Sequence, residues 1–249
     1  MLGPRLGNWR KRFPYQRVVM IKIKICGLRK PKDAVEAVEA GADFIGLVFV
    51  PGRRRMLTDE SAKEIVVSVR DKSGASTAIV GLFADQPLDE VNRFAYRYQL
   101  DMVQLCGNES LDYCSGVKVP VIKVIHIRQE LDHSHLLERL GKGIEHFQHQ
   151  GCVIALDSLV EGLQGGTGKT FDWSIAEDLK NLGYEFILAG GLNPNNVGEA
   201  IRRIKPWGVD VSSGVENNGI KDPQKIHVFV ERARLASGEL KAKKDHKNG

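Results

Sequence analysis

Eight short apolar runs rich in β-branched residues recur along the chain, at 21–26, 43–50, 77–83, 100–105, 119–126, 152–157, 184–189 and 208–212. Between and after them lie stretches of helical periodicity at 32–40, 58–69, 88–98, 131–146, 174–182, 195–204 and 223–236, while 110–117 has room for only a turn or two. Strand and helix alternate throughout and hairpin signals do not cluster, so the strands are expected to run parallel beneath crossover helices. Eight units of that kind match the period of a closed (β/α)8 TIM barrel better than an open doubly wound sheet. A single α/β barrel over residues 20–240 is therefore expected, with its chemistry at the C-terminal ends of the strands.

The pI near 9.0 invites a nucleic-acid partner, but the charge sits at the two ends. Residues 1–19 carry five arginines and lysines and no acid, and 241–249 carry a net +3; against a whole-chain charge of +5, residues 20–240 are left at −3. The ends are expected to be a basic N-terminal extension and a lysine-rich C-terminal tail, both solvated. No nucleic-acid partner follows from them. No run approaches the roughly 18 apolar residues of a membrane helix, and no apolar core or cleavage site follows the basic N-terminus. Four cysteines, Cys26, Cys106, Cys114 and Cys152, lack zinc-site spacing, which points to a reducing, cytoplasmic setting without a structural metal.

One motif tests a nucleotide-binding alternative. Gly168-Lys169-Thr170 has the end of a phosphate-binding P-loop, but the position that must be glycine is Leu163. The preceding strand ends instead in a carboxylate, Asp157, which is either a desolvated general acid or a loop-tying cap. Along 21–26, Lys22, Lys24 and Cys26 alternate with isoleucines, so one face of a strand that should be apolar on both is polar. Either Lys24 favours a Cys26 thiolate that acts as base, lowering its pKa, or Cys26 is a small buried hydrophobe and Lys24 snorkels to solvent. Asp210 shares a face with Ser212 and Gly214 by the same period and is expected to look inward. Gly190-Gly191 and Ser213-Gly214 follow the last two strands, where barrels commonly cradle a phosphate, although plain turn chemistry would also use glycine. Arg53, Arg54 and Arg55 follow the second strand; either one of them, Arg55, holds a carboxylate by a bidentate fork while its neighbours are solvated, or the whole run is solvated. A base, an acid, an arginine and a phosphate cradle suit proton-shuffling isomerisation of a small sugar phosphate, with no metal or cofactor.

From residue 20 to about 236 the chain resembles the phosphoribosylanthranilate isomerase family. The resemblance is carried by Lys24-Ile25-Cys26-Gly27, Gly41-Ala42-Asp43, Gln104-Leu105-Cys106-Gly107, the segment from Gly165 to Trp173, Leu188 to Pro194 and Asp210 to Glu216. It implies an Amadori rearrangement in tryptophan biosynthesis with Cys26 as general base and Asp157 as general acid. It also implies that Arg55 holds the anthranilate carboxylate, that Lys24, Gln104 and Asp210 touch the substrate, and that Gly190, Gly191, Ser213 and Gly214 hold its phosphate. The partner would be this small molecule alone, with no membrane, in a monomer or homodimer. Two positions depart from the family pattern: Cys106 stands where histidine is usual, and Arg53 where serine is. Two other readings remain open at this point. A related sugar-phosphate isomerase would use paired aspartates at strands one and five, where this chain has Cys26 and His126; a non-catalytic phosphate-ligand-binding barrel would use its basic ends to recruit RNA or protein.

Overall fold

The computed structural model describes residues 21–73, 76–127, 132–158 and 173–245. The expected extension at 1–19 and the loop at 165–170 lie outside them. Eight parallel strands close into a barrel in chain order. They are β1 (Lys22–Cys26), β2 (Phe44–Val48), β3 (Ala78–Phe83), β4 (Met102–Leu105), β5 (Val121–Ile127), β6 (Val153–Ser158), β7 (Ile187–Leu188) and β8 (Gly208–Val211). Each is followed by a helix: α1 (Pro31–Glu39), α2 (Asp59–Ser73), α3 (Leu88–Arg97), α4 (Leu111–Gly116), α5 (His133–His149), α6 (Ser174–Asn181), α7 (Val197–Ile204) and α8 (Pro223–Asp245). Among the described residues no helix is long and apolar enough to cross a membrane.

Period-two alternation sorts each strand into an outer and an inner face. Outward residues such as Ile23, Ile25, Ile45, Leu47, Val103, Leu156 and Val209 pack against the helices in one continuous core. Inward residues fill the barrel: Phe44, Ala78, Val80, Met102, Ile122, Val124, Val153, Ala155, Ile187 and Trp207 form a dry plug. Above it the inward positions turn polar. The C-terminal mouth is thus a polar layer resting on an apolar floor.

Three elements differ from expectation. β7 is two residues long because Gly190 and Gly191, at φ 86° and 67°, turn the chain away just past its end, after Ala189 N–H has donated to Leu156 O at 2.8 Å. α8 runs to Asp245, well past 236, so the lysine-rich segment begins inside a helix; the residues after Gly238 are mostly good helix formers with no proline. A hairpin follows β8: a 3-10 turn at Ser213–Val215 leads into β9 (Glu216–Asn217) and antiparallel β10 (Ile220–Lys221). Asn218 and Gly219 both have positive φ, 48° and 78°, as a two-residue primed turn requires.

At the opposite end of the barrel, Asp43 ties strands to α8. Its carboxylate takes Lys22 Nζ at 2.7 Å, Ile23 N–H at 3.0 Å and Arg234 Nη2 at 2.8 Å, and Arg234 also donates to Gly41 O at 2.8 Å. Ile21 N–H donates to Ser237 Oγ at 3.1 Å. Replacing Asp43 by alanine takes the acceptor from the Ile23 N–H and the shared carboxylate from Lys22 and Arg234, and should cost about 2 kcal/mol. We expect Asp43→Ala to lower the urea midpoint accordingly while leaving ligand binding at the far mouth intact at a permissive temperature.

Candidate active site

Lys24 and Asp210 are paired laterally in the register of β1 and β8, so both side chains project into the barrel. Lys24 is 1% exposed, and its Nζ lies 2.7 Å from Asp210 Oδ2. Burial alone would lower the Lys24 pKa, but the Asp210 carboxylate and then the Cys26 thiol outweigh it and hold the ammonium above its ordinary range. The Lys24 ammonium also acts electrostatically on the Cys26 thiol. Space for that thiol comes from Gly46, its register partner on β2: a Cβ there would sit 2.8 Å from Cys26 Sγ. Lys24 does pull the thiol pKa down, as the sequence suggested. Burial and the Asp210 charge pull harder the other way, so the net shift of Cys26 is upward, because removing water from a small anion costs more than one neutralised ammonium returns.

Across the mouth stand Gln104, Cys106, His126 and Asp157. Cys106 packs against the cluster of Cys26, Val48 and Leu82, and accepts from Gln104 Nε2 at 3.5 Å. Burial first, then the nearby Cys26 and Asp157, push its thiol up to about 12, against the opposing pull of Gln104 and Lys24. Cys26 ends β1 and Asp157 lies at the end of β6, so both stand at the C-terminal mouth of the barrel. Asp157 is half-buried at the end of β6, paired in register with His126 of β5. His126 Nε2 lies 3.0 Å from Cys106 O; a carbonyl only accepts, so Nε2 is the donor. Among the described residues, Gln104 Oε1, His126 Nδ1 and Asp210 Oδ1 are buried without a hydrogen-bond partner. Three such atoms around one mouth suit a ligand that supplies the missing bonds.

The glycine-bearing loops after β7 and β8 meet backbone to backbone. A Cβ on Gly214 would overlap the Leu192 carbonyl, so only glycine lets Ser213-Gly214 close on the Gly190-Gly191 turn. That turn is braced from behind, with Asn196 Nδ2 donating to Gly191 O at 3.0 Å and Asn193 N–H donating to Asn196 Oδ1 at 2.8 Å. The structure therefore brings together the four residues read as a phosphate cradle.

Arg55 reaches the rim of β1. Gly27, at φ 72°, makes way for it: a Cβ there would collide with Arg55 Cδ and lie 3.0 Å from Ser212 Oγ. Sequence reading missed its partner. Glu216 takes Arg55 Nε at 2.7 Å and Nη2 at 2.9 Å, Arg54 Nη2 at 2.8 Å and Lys221 Nζ at 3.0 Å. Arg53 and Arg54 are both exposed, as expected of solvated neighbours, but Arg54 is also paired with Glu216. Burial would raise the Glu216 pKa, but Arg55, Lys221 and Arg54 bring it down to about 2, so the carboxylate is ionised at any working pH. The Asn-Gly turn was the signal that could have placed Glu216 and Lys221 on a hairpin facing the arginines.

Comparison with known proteins gives a consistent result. The family model for N-(5'phosphoribosyl)anthranilate (PRA) isomerase matches residues 23–232. A Dehalococcoides mccartyi protein named N-(5'-phosphoribosyl)anthranilate isomerase is 44% identical over 219 residues, 88% of this chain and 98% of its own length. The crystal structure of phosphoribosyl anthranilate isomerase from Thermotoga maritima is similar at a TM-score of 0.75 and 35% identity, over 87% of this chain and 100% of that one. Another solved phosphoribosyl anthranilate isomerase, in complex with reduced 1-(o-carboxyphenylamino)-1-deoxyribulose 5-phosphate, is similar at 0.72 and 32% identity with the same coverage.

The electrostatics of Cys26 can be read directly. Asp210 raises the thiol pKa by its charge, so Asp210→Asn, which keeps an oxygen for Lys24, should move the pH midpoint of Cys26 alkylation by iodoacetamide to lower pH. Peptide mass analysis separates Cys26 from the other three cysteines. A midpoint unchanged or moved upward would remove Asp210 from the groups that set this thiol.

Proposed function

Because the chain belongs to the N-(5'-phosphoribosyl)anthranilate isomerase family, we propose how its own residues carry out the family reaction. The protein isomerises N-(5'-phosphoribosyl)anthranilate to 1-(2-carboxyphenylamino)-1-deoxyribulose 5-phosphate, an Amadori rearrangement of tryptophan biosynthesis. Protonated Asp157 delivers its proton to the furanose ring oxygen, the bond from that oxygen to C1 breaks, and the anthranilate nitrogen becomes part of a protonated Schiff base. The Cys26 thiolate then takes the proton from C2, and the electron pair moves into the cation to give an enolamine. Protonation at C1 and loss of the enol proton leave the ketone. Atoms and charge balance within one substrate, so this reading requires neither metal nor redox cofactor.

The observation that carries the assignment of Cys26 is the buried ammonium of Lys24 held against its thiol and kept charged by Asp210. A thiol with a raised pKa is a minority thiolate at neutral pH but a stronger base once formed, and the adjacent ammonium stabilises it. Gln104 and Asp210 offer the unpaired buried oxygens that would meet sugar hydroxyls, and Lys24 lies beside them. Arg55 takes the anthranilate carboxylate, and the backbone of Gly190, Gly191, Ser213 and Gly214 takes the phosphate. The enzyme works in the cytoplasm as a monomer or homodimer.

Growth of a tryptophan auxotroph lacking this step is the direct test in the cell. A barrel that merely binds phosphate ligands would leave it dependent on tryptophan. In purified protein, Cys26→Ala and Asp157→Asn should each lower turnover at least about a hundredfold, the size of losing a general base or acid. Near-wild-type turnover in either variant would withdraw that residue from the mechanism.

A further inference from the structure

The ion cluster at the rim of β1 and β8 is larger than a carboxylate-binding arginine needs. Three cations, Arg54, Arg55 and Lys221, converge on Glu216, which is 5% exposed, and leave the cluster two positive charges in excess. An isolated structural ion pair would be neutral. A surplus of positive charge beside a barrel mouth draws an anion.

The geometry shows which edge of Arg55 is left for that anion. A guanidinium has two faces suited to a carboxylate fork, Nε with Nη2 and Nη1 with Nη2. Glu216 occupies the first, at 2.7 Å and 2.9 Å, and no described residue is recorded on Nη1. The stem of Arg55 is trapped over Gly27, and its side chain is 18% exposed. Glu216 is itself anchored by Lys221, whose Nζ also donates to Ser212 O at 2.7 Å, one residue before the Ser213-Gly214 turn. One carboxylate thereby fixes the arginine to the same backbone that bounds the cradle for the phosphate.

We propose that Glu216 is a positioning residue for substrate recognition: held by Lys221 on the hairpin, it binds the inner edge of Arg55 and presents the outer Nη1/Nη2 edge to the substrate carboxylate. The proposal rests on the reading of Arg55 given above and adds the group that orients it. The rotamer freedom of a rim arginine, which would otherwise be lost at each binding event, is removed in advance by folding.

The test uses two ligands, the reduced product analogue that carries the ring carboxylate and its counterpart with an unsubstituted phenyl ring, measured by calorimetry. In Glu216→Gln, the carboxylated ligand should bind about tenfold more weakly, the loss expected when one charge-assisted contact is misplaced, while the phenyl ligand stays within about twofold. KM should rise with kcat nearly retained. Glu216→Asp keeps the charge but cannot span Nε and Nη2 while touching Lys221, and should fall between. Equal weakening of both ligands, or a wild-type ratio between them, would overturn the positioning role and leave Glu216 a structural tie. Arg55→Met separates the two readings: it should abolish the preference for the carboxylated ligand, and an unchanged preference there would remove Arg55 itself. Should Glu216→Gln not fold cooperatively, the ratio in Glu216→Asp decides, and a wild-type value in that variant overturns the proposal.

Discussion

The buried pair of Lys24 and Asp210 is the interaction on which the mouth of this barrel depends. It bridges β1 and β8, the seam where the first strand meets the last and the sheet becomes a closed surface. Burying two charges is expensive, and well-packed apolar residues would often serve stability as well; removing one partner alone typically costs about 3–5 kcal/mol because the other is left uncompensated. Here the pair keeps an ammonium in its charged form beside Cys26, the thiol proposed as the base.

Stability and chemistry are placed at opposite ends. At the N-terminal end, Asp43 holds Lys22 and Arg234 together and so ties α8 to the barrel. In the middle, the apolar plug around Phe44 and Trp207 keeps water out. At the C-terminal end, polar atoms are left partly unanswered, on Gln104, His126 and Asp210, and the cations around Glu216 exceed the anion they share. Unpaired groups are costly, so they gather where a ligand makes up the difference.

Much of this was legible from residue order. Alternation of strand and helix specifies the barrel, and the period of two puts Lys24, Cys26 and Asp210 on the inner face. Glycine pairs mark where β7 and β8 must turn. Other features escaped for definable reasons. Glu216 lies 161 residues from Arg55, and nothing local in either segment announces the other. His126 looked like an ordinary strand end, because its role as donor to Cys106 O depends on the neighbouring strand. β7 looked longer than it is, since apolar composition persists beyond the point where the backbone leaves the ladder.

The direction of the Cys26 shift draws the same line. Sequence alone determined that a lysine and a thiol share one face of β1, because side-chain alternation is a local property of an extended backbone. It also determined that an acid ends β6 and that glycines end β7 and β8. Tertiary structure decided how those groups behave: that burial and Asp210 outweigh Lys24 at the thiol, that Arg55 arrives already held by Glu216, and that Gly214 closes the two glycine loops on each other. Desolvation and charge pairing depend on what surrounds an atom in space, and in a barrel that surrounding comes from strands far apart in the chain.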